Sequence, residues 1–226
     1  YVAVSGFGVY AAMAPHRLRS PRVVSAADLT ARPAAPGALL SVLGAKVDAA
    51  RAGQVRAPVL AQSDAESQIQ IPFEASGDSV ALSLEGQGRV LTLGLPLGRV
   101  APAVFADRDG TPMILDADSG ILLDAMNPAR SGTRIQILAT GLGKVRPDWP
   151  TGLAAPLDSP PQVIASVRVQ LDRVPLEVTR ATLAPGYIGF YLVEVSLPSV
   201  VNSGPAELFI EAGGAESNRV RLYLEP

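Results

Sequence analysis

Apolar and polar residues alternate with a period of two, or form short β-branched blocks, in ten segments of the chain. Successive side chains of a β-strand point to opposite faces of a sheet, so this pattern predicts strands rather than helices. The one helix-like stretch, residues 45–52, has no apolar stripe and is predicted to be a loop. The predicted strands are 38–43, 67–72, 79–84, 89–95, 133–140, 163–171, 176–183, 188–197, 206–211 and 219–224.

Sequences rich in Gly, Asn and Asp separate the predicted strands. They occupy residues 75–78, 85–88, 107–110, 202–205 and 213–214. Glycine, asparagine and aspartate tolerate the positive φ angles that tight turns require. Short strands joined by such turns are typical of a β-sandwich, so we predict an all-β protein built from immunoglobulin-like sandwiches.

An internal repeat indicates two such sandwiches in tandem. Residues 36–44 resemble residues 131–139, and the segments 69–72, 80–84 and 90–93 resemble 195–198, 206–210 and 220–223 in the same order. The second copy is longer, which we attribute to a Pro-rich loop at 147–161 and the strand after it. We therefore predict an N-terminal strand and linker over 1–21, a first β-sandwich over 22–98 and a second over 99–226.

Several short motifs carry a resemblance to a known family. They are Val-Val-Ser-Ala-Ala at 23–27, Ala-Pro-Gly at 35–37, Ala-Pro-Ala-Val-Phe at 101–105, Asn-Pro-Ala-Arg at 127–130, Ala-Thr-Gly-Leu-Gly at 139–143, Ala-Pro-Gly-Tyr-Ile-Gly-Phe-Tyr at 184–191 and Ser-Asn at 217–218. Together they resemble the paralogous C-terminal domain abundant in Acidobacteria of the Solibacter type, over residues 22–224. The resemblance implies a module similar to immunoglobulin-like IPT/TIG domains, without assigned catalytic residues, that ends large secreted bacterial proteins.

The composition argues against several classes of function. Lys and Arg number 19 against 21 Asp and Glu, so the chain lacks the basic surface of a nucleic-acid-binding protein. Zero Cys and one His remove thiol catalysis, disulfides and the usual zinc ligands. The longest nearly uncharged stretch, residues 1–14, is shorter than the roughly 18 residues that cross a bilayer. We predict a non-enzyme with no cofactor, no nucleic-acid partner and no membrane span.

Three further patterns are weak candidates for chemistry. The turns 107–110 and 116–120 place aspartates two residues apart, as calcium sites do, but they lack the third ligand and the bidentate Glu of an EF-hand loop. The Gly-Leu-Gly at 141–143 precedes prolines rather than a helix N-terminus, so it does not predict a phosphate loop. His16 has no Gly-x-Ser-x-Gly motif to pair with. We predict ordinary turns and no metal site.

Trp149 is the one plausible ligand contact. It is the only tryptophan and lies between Asp148 and Pro150 in the loop 147–161. An aromatic side chain on an exposed loop can stack on a sugar ring, which would make a polysaccharide the partner. The alternative is that Trp149 folds back over the open end of its own sandwich, since a single tryptophan seldom stays exposed.

Three aromatic residues, Tyr187, Phe190 and Tyr191, fall in one predicted strand with Gly189. Alternation places Tyr187 and Tyr191 on one face and Phe190 on the other. We predict that Phe190 is in the core and that a tyrosine hydroxyl fixes a corner, as in many immunoglobulin-like sandwiches.

The N-terminal segment, residues 1–14, lies outside both repeats and contains eleven apolar residues. We interpret it as an extended strand with no hairpin partner, which must pair with a sheet edge of its own chain or of another subunit. Donation to a second copy would build a filament, as donor strands do. The predicted function is thus a non-catalytic, extracellular or cell-surface module that contacts copies of itself, neighbouring domains of a longer chain, or polysaccharide. The predicted assembly residues are Tyr1, Val2, Val4, Phe7, Val9 and Tyr10.

Overall fold

The structure, a computed structural model, describes the backbone of residues 2–5 and 8–11 and both the backbone and the side chains of residues 21–226. Within these residues it contains strands and turns and no helix, as the alternating pattern predicts. No helix able to cross a membrane is therefore found in this part of the chain.

The N-terminal segment contains two short strands, β1 (Val2–Ser5) and β2 (Gly8–Ala11), which pair with each other antiparallel. The prediction of a single strand without a hairpin partner is therefore wrong. Ser5 lies opposite Gly8, so two residues connect the strands, which is the commonest length of a hairpin connection. Of the predicted assembly residues, Tyr1 and Phe7 lie outside the described residues, whereas the hairpin includes Val2, Val4, Val9 and Tyr10.

The first sandwich consists of eight strands in two sheets. One sheet has the order β3-β4-β8-β7 and the other β10-β9-β5-β6. This is the arrangement of strands A, B, E, D and G, F, C, C′ in an immunoglobulin-like fold. The strands are β3 (Arg22–Ser25), β4 (Leu39–Leu43), β5 (Ala49–Ala52), β6 (Val55–Ala57), β7 (Val59–Gln62), β8 (Glu66–Gln70), β9 (Ser79–Gly86) and β10 (Arg89–Pro96).

The second sandwich repeats this order in one continuous set of twelve strands. The long strand β18 runs through both of its layers, pairing with β17 in one and with β19 in the other. The strands are β11 (Ala103–Val104), β12 (Ile114–Asp116), β13 (Ala129–Arg130), β14 (Arg134–Thr140), β15 (Val145–Arg146), β16 (Gln162–Val163), β17 (Val167–Leu171), β18 (Val174–Leu183), β19 (Tyr191–Ser196), β20 (Gly204–Ala212), β21 (Ala215–Glu216) and β22 (Val220–Glu225). In the first sandwich Pro58 interrupts the corresponding stretch and divides it into β6 and β7.

The pairing refines the repeat. Leu40 lies opposite Ile69 and Ile135 opposite Val195, which agrees with the first two aligned segments. The last segment is shifted. Leu82 and Leu208 are equivalent positions of the repeat, and they lie opposite Leu93 and Val220, respectively. Residues 93–96, and not 90–93, are therefore the equivalents of 220–223.

Three strand predictions need correction. The strand predicted at 163–171 is interrupted at residues 164–166, where the chain bends, and forms two separate strands, β16 and β17. The loop predicted at 45–52 contains β5, whose alanines give little hydrophobic signal although alternate ones are buried. The strand predicted at 188–197 begins only at Tyr191, because Gly186 and Gly189 have φ angles of 80° and 72° and hold the preceding residues in turns. Tyr187 and Phe190 therefore lie in a loop, where the alternation of a strand does not apply.

Each sandwich has its own apolar core, built from alternate residues of facing strands. The core of the first includes Leu40, Val42, Ile69, Ile71, Leu82 and Leu84. The core of the second includes Ile135, Ile137, Val193, Val195, Leu208 and Ile210.

Candidate functional site

A third apolar cluster joins the two sandwiches. Leu39 and Ala27 of the first sandwich contribute to it, as do Ala103 and Phe105 of the second, and all four are buried. The ring of Phe105 stacks on that of Phe190 with 4.4 Å between centroids. Phe190 is thus packed against the junction between the sandwiches rather than in a core. We call this contact region the junction.

Phe73 extends the junction from the first sandwich into the second. It follows β8 in a loop, is only 8% exposed, and belongs to the core cluster of the second sandwich. Its equivalent in the second copy is Ser199, which is exposed. An isolated Phe in a loop, where the other copy has a Ser, is the sequence signal that could have revealed this contact.

Tyr191 is fully buried at the start of β19 and connects three chain segments. Its hydroxyl donates a hydrogen bond to the carbonyl of Gly143 at 2.5 Å and lies 3.4 Å from the carbonyl oxygen of Pro36 in the first sandwich. Burial raises the pKa of this hydroxyl far above its ordinary value, so it remains a neutral donor. Tyr191 is the tyrosine whose hydroxyl fixes a corner, and that corner is part of the junction.

Gly37 is the residue that lets these groups meet. It has a φ angle of 79°, and a Cβ atom at this position would overlap the Phe73 ring and lie 2.5 Å from the Tyr191 hydroxyl oxygen. The equivalent glycine of the second copy, Gly132, has a φ angle of 72° and nothing within 4 Å of such a Cβ. Gly37 is therefore required by packing as well as by its backbone conformation.

Thr140 provides a polar link inside the junction. Its hydroxyl accepts a hydrogen bond from the backbone N–H of Leu39 at 2.9 Å and donates one to the carbonyl of Gly189 at 3.0 Å. The side chain is buried at the end of β14, so both bonds are shielded from water. Such bonds fix the relative position of the groups they join.

The Pro-rich loop 147–161 also fastens the two sandwiches together. The Thr151 hydroxyl accepts a hydrogen bond from the backbone N–H of Phe73 at 2.9 Å and donates one to the Glu74 carboxylate at 2.7 Å. The backbone N–H of Gly152 donates to the side-chain oxygen of Gln70 at 2.8 Å. The extra length of the second copy therefore serves the contact with the first.

The Gly-Leu-Gly motif at 141–143 packs against the connection between the sandwiches. A Cβ atom at Gly141 would overlap the carbonyl of Ala101, and one at Gly143 would overlap that of Arg99. The backbone N–H of Ala101 donates to the Gly141 carbonyl at 2.7 Å. The two glycines therefore permit the connection between the sandwiches to approach closely, and this contact fixes the position of the connection.

Trp149 is half-buried against the core of the second sandwich. Its indole N–H donates to the carbonyl of Leu153 within the same loop at 3.1 Å. This geometry fits the interpretation that Trp149 covers its own sandwich. The loop still presents apolar surface, because Leu153 and Leu157 are 52% and 77% exposed.

Replacing Trp149 with alanine should therefore destabilise the protein by about 3 kcal/mol, because a large packed side chain is lost. For a protein of this size that loss corresponds to a fall in Tm of roughly 6–12 °C. Leu157→Ala, in the same loop at 77% exposure, is the control and should leave Tm unchanged. An unchanged Tm for Trp149→Ala would show that this ring does not stabilise the sandwich and would contradict that role.

The aspartate turns use their carboxylates internally. Asp107 accepts hydrogen bonds from the backbone N–H groups of Asp109 and Thr111, at 2.9 and 2.8 Å. Asp116 accepts from the hydroxyl and backbone N–H of Ser119, and these bonds lower the pKa of its carboxyl. Among residues 21–226 no three potential metal-ligating side chains come together, and His16 lies outside the described residues.

Glu194 is a buried carboxylate, 6% exposed, on the outer face of β19. Burial alone raises the pKa of this carboxyl, but the hydrogen bond from Gln136 and the charge of Arg180 outweigh it and hold the pKa below its ordinary value. Arg134 and Arg180 both form ion pairs with it, at 3.3 and 2.9 Å. Both oxygens of the Glu194 carboxylate are therefore engaged by side chains of the same sheet.

No family model matches the chain, and no curated protein matches it. Among solved structures it is similar to SGBP-B from a complex xyloglucan utilization locus in Bacteroides uniformis (12% identity, TM-score 0.32, 90% of this chain). It is also similar to SGBP-B of the mixed-linkage glucan utilization locus of Bacteroides ovatus in complex with a mixed-linkage heptasaccharide (11%, 0.38, 85%). A third similar structure is that of the tandem Ig repeats of Dlar (12%, 0.24, 91% of this chain and 97% of that one). The chain spans 49% and 43% of the lengths of the first two. Its immunoglobulin-like fold is defined by its own strand order, which is the same in both sandwiches.

Proposed function

We propose that the chain is a non-catalytic structural and interaction module in which two β-sandwiches act as one rigid piece. It would hold neighbouring parts of a longer extracellular or cell-surface protein at a fixed spacing and orientation. The family resemblance, to C-terminal domains of large secreted bacterial proteins, supports this placement.

The observation that carries this proposal is the buried junction. Domains joined by a linker usually move relative to each other unless the contact between them is large and apolar. Here Phe73 enters the core cluster of the second sandwich, and Leu39 is 1% exposed in the third cluster. Hydrogen bonds from Tyr191, Thr140 and Thr151 add fixed geometry to that apolar contact.

The polar groups support the non-catalytic part of the proposal. Asp107 and Asp116 each accept hydrogen bonds from their own turns, and Glu194 is paired with two arginines. A catalytic carboxylate must instead present an oxygen to a substrate.

Differential scanning calorimetry tests whether the two sandwiches behave as one unit. Because unfolding of either one exposes the junction, we expect a single transition for the whole chain, with equal calorimetric and van't Hoff enthalpies. Two resolved transitions in the unmodified chain would contradict the proposal, since they would mean that the junction couples the sandwiches too weakly to hold them together.

Polysaccharide binding is a second candidate function. Tyr187, whose ring is 60% exposed, lies in a loop whose backbone bonds with Ala155 of the Pro-rich loop. Exposed aromatic and apolar side chains of this kind favour stacking on sugar rings. A glycan array tests this function. Binding to a glycan that is lost in Tyr187→Ala, without a change in Tm, would support it. Absence of binding to every glycan on the array would contradict it for those glycans.

A filament built by donation of the N-terminal segment to another copy is the third proposal, and it excludes docking of that segment on its own chain. It requires an acceptor site for that segment on another copy of the chain. Light scattering of the purified chain at increasing concentration tests it, and a monodisperse monomer would contradict it.

A further inference from the structure

The first sandwich has a groove at the end opposite the junction. The groove has a volume of about 320 Å³. Its lining combines Pro21, Gly44, Ala45, Val90 and Leu91 with the charged residues Lys46, Asp64, Glu85 and Arg89. Pro21 directly precedes β3, so the N-terminal segment leaves the first sandwich at this groove.

The repeat shows what occupies the same place in the second sandwich. The residues equivalent to Gly44 and Ala45 are Ala139 and Thr140, at the end of β14. They pair antiparallel with the short strand β11, formed by Ala103 and Val104. Both β11 residues are fully buried. The groove of the first sandwich is therefore the position that a strand fills in the second.

A second contact supports the equivalence. Leu91 of the groove corresponds to Asn218, which directly precedes Arg219 and β22. The side chain of Asn218 accepts a hydrogen bond from the backbone N–H of Val104 and donates one to its carbonyl, at 2.8 and 3.0 Å. The second sandwich thus fastens β11 from this position, whereas the first sandwich presents an apolar side chain there, which suits an apolar occupant.

The order of elements along the chain points to the occupant. Strand β11 precedes β12, and residues 105–113 connect them. Strands β12 and β3 are equivalent, since β12 pairs with β14 and β3 pairs with the same part of the equivalent strand β4. Strand β2 precedes β3, and residues 12–21 connect them. The two connections differ in length by one residue. In the sequence, β2 therefore has the position in the first copy that β11 has in the second.

We infer that β2 (Gly8–Ala11) docks into this groove of its own chain, beside Gly44 and Ala45, and extends the sheet of β3 and β4. Strand β1 remains paired with β2 as the outer strand. An isolated two-stranded hairpin is at best marginally stable in water, and eleven of residues 1–14 are apolar, so docking stabilises the segment. The short tether gives a high effective concentration, which favours the same chain over a second copy.

Hydrogen exchange and proteolysis of the full chain test the inference. The variant Val90→Asp places a charge in the groove at a side chain that is 68% exposed, and the control Val200→Asp places one on the second sandwich at a side chain that is 83% exposed. We expect Val90→Asp to speed exchange of the amides of Ala45 and Lys46 by about tenfold, because docking no longer protects them. The amides of Gly44 and Val47 are bonded within the first sandwich and serve as internal references. Chymotryptic cleavage after Phe7 and Tyr10 should accelerate by a similar factor, and Val200→Asp should match the unmodified chain in both.

A chain lacking residues 1–14 provides the second arm. Its amides of Ala45 and Lys46 should exchange as fast as those of Val90→Asp, and adding a peptide of residues 1–14 should slow them again. Equal exchange in the full and shortened chains would overturn the inference. Protection that grows with protein concentration, together with a dimer or polymer in light scattering, would overturn it in favour of a second copy as the occupant. The calorimetric test of the junction is independent of both results.

Discussion

Replacing Gly37 with alanine should destabilise the protein by about 3 kcal/mol more than the same replacement at Gly132, because only the first introduces a clash. The two glycines occupy the same turn of the two copies, with φ angles of 79° and 72°. Each replacement therefore costs about 1–2 kcal/mol of backbone strain. At Gly37 the added methyl group also overlaps the Phe73 ring and crowds the Tyr191 hydroxyl, so the junction must open or shift.

Denaturant unfolding of the two variants measures this difference directly. Gly132→Ala is a close control, since nothing lies within 4 Å of its added Cβ atom. Equal losses of stability in both variants would mean that the junction adjusts freely, and would contradict the close packing around Gly37.

Replacing Phe73 with alanine should both destabilise the protein and uncouple its two halves. Loss of a buried Phe side chain costs about 3–5 kcal/mol. Because Phe73 belongs to the first sandwich and packs in the core cluster of the second, this loss falls on the contact between them. We expect the single calorimetric transition to separate into two.

Phe209→Ala is the matched control for Phe73→Ala. Phe209 is 7% exposed, close to the 8% of Phe73, but it lies on β20 beneath the guanidinium of Arg219 and away from the junction. Its loss should lower the Tm of a transition that remains single. If both variants give the same type of transition, Phe73 does not couple the sandwiches.

The alternating pattern predicts most of the fold. It succeeds for β14 and β20 because one face of each strand lies in the core and buried apolar residues therefore recur at every second position. It misses β5, since alternation of Ala and Arg is a weak signal. It extends β19 too far towards its N-terminus, because the pattern does not register the positive φ of Gly189.

The junction is the part that local pattern does not predict. An apolar side chain in a loop, such as Phe73, can cover its own sandwich or contact another, and alternation does not distinguish the two. Comparison of the two copies does distinguish them, since Ser199 at the equivalent position is exposed. Comparison of the copies also marks the loop that carries Trp149, because this loop has no counterpart in the first copy. The loop contacts the first sandwich through Thr151 and Gly152.

Residual dipolar couplings test the central claim, that the two sandwiches form one rigid piece. Backbone N–H couplings would be measured for the strands of the first sandwich, β3 to β10, and of the second, β11 to β22, in one weakly aligned sample. A rigid junction predicts that both sets fit a single alignment tensor with the orientations seen in the structure. Two tensors of different magnitude or direction would show that the sandwiches move independently, and would contradict the account.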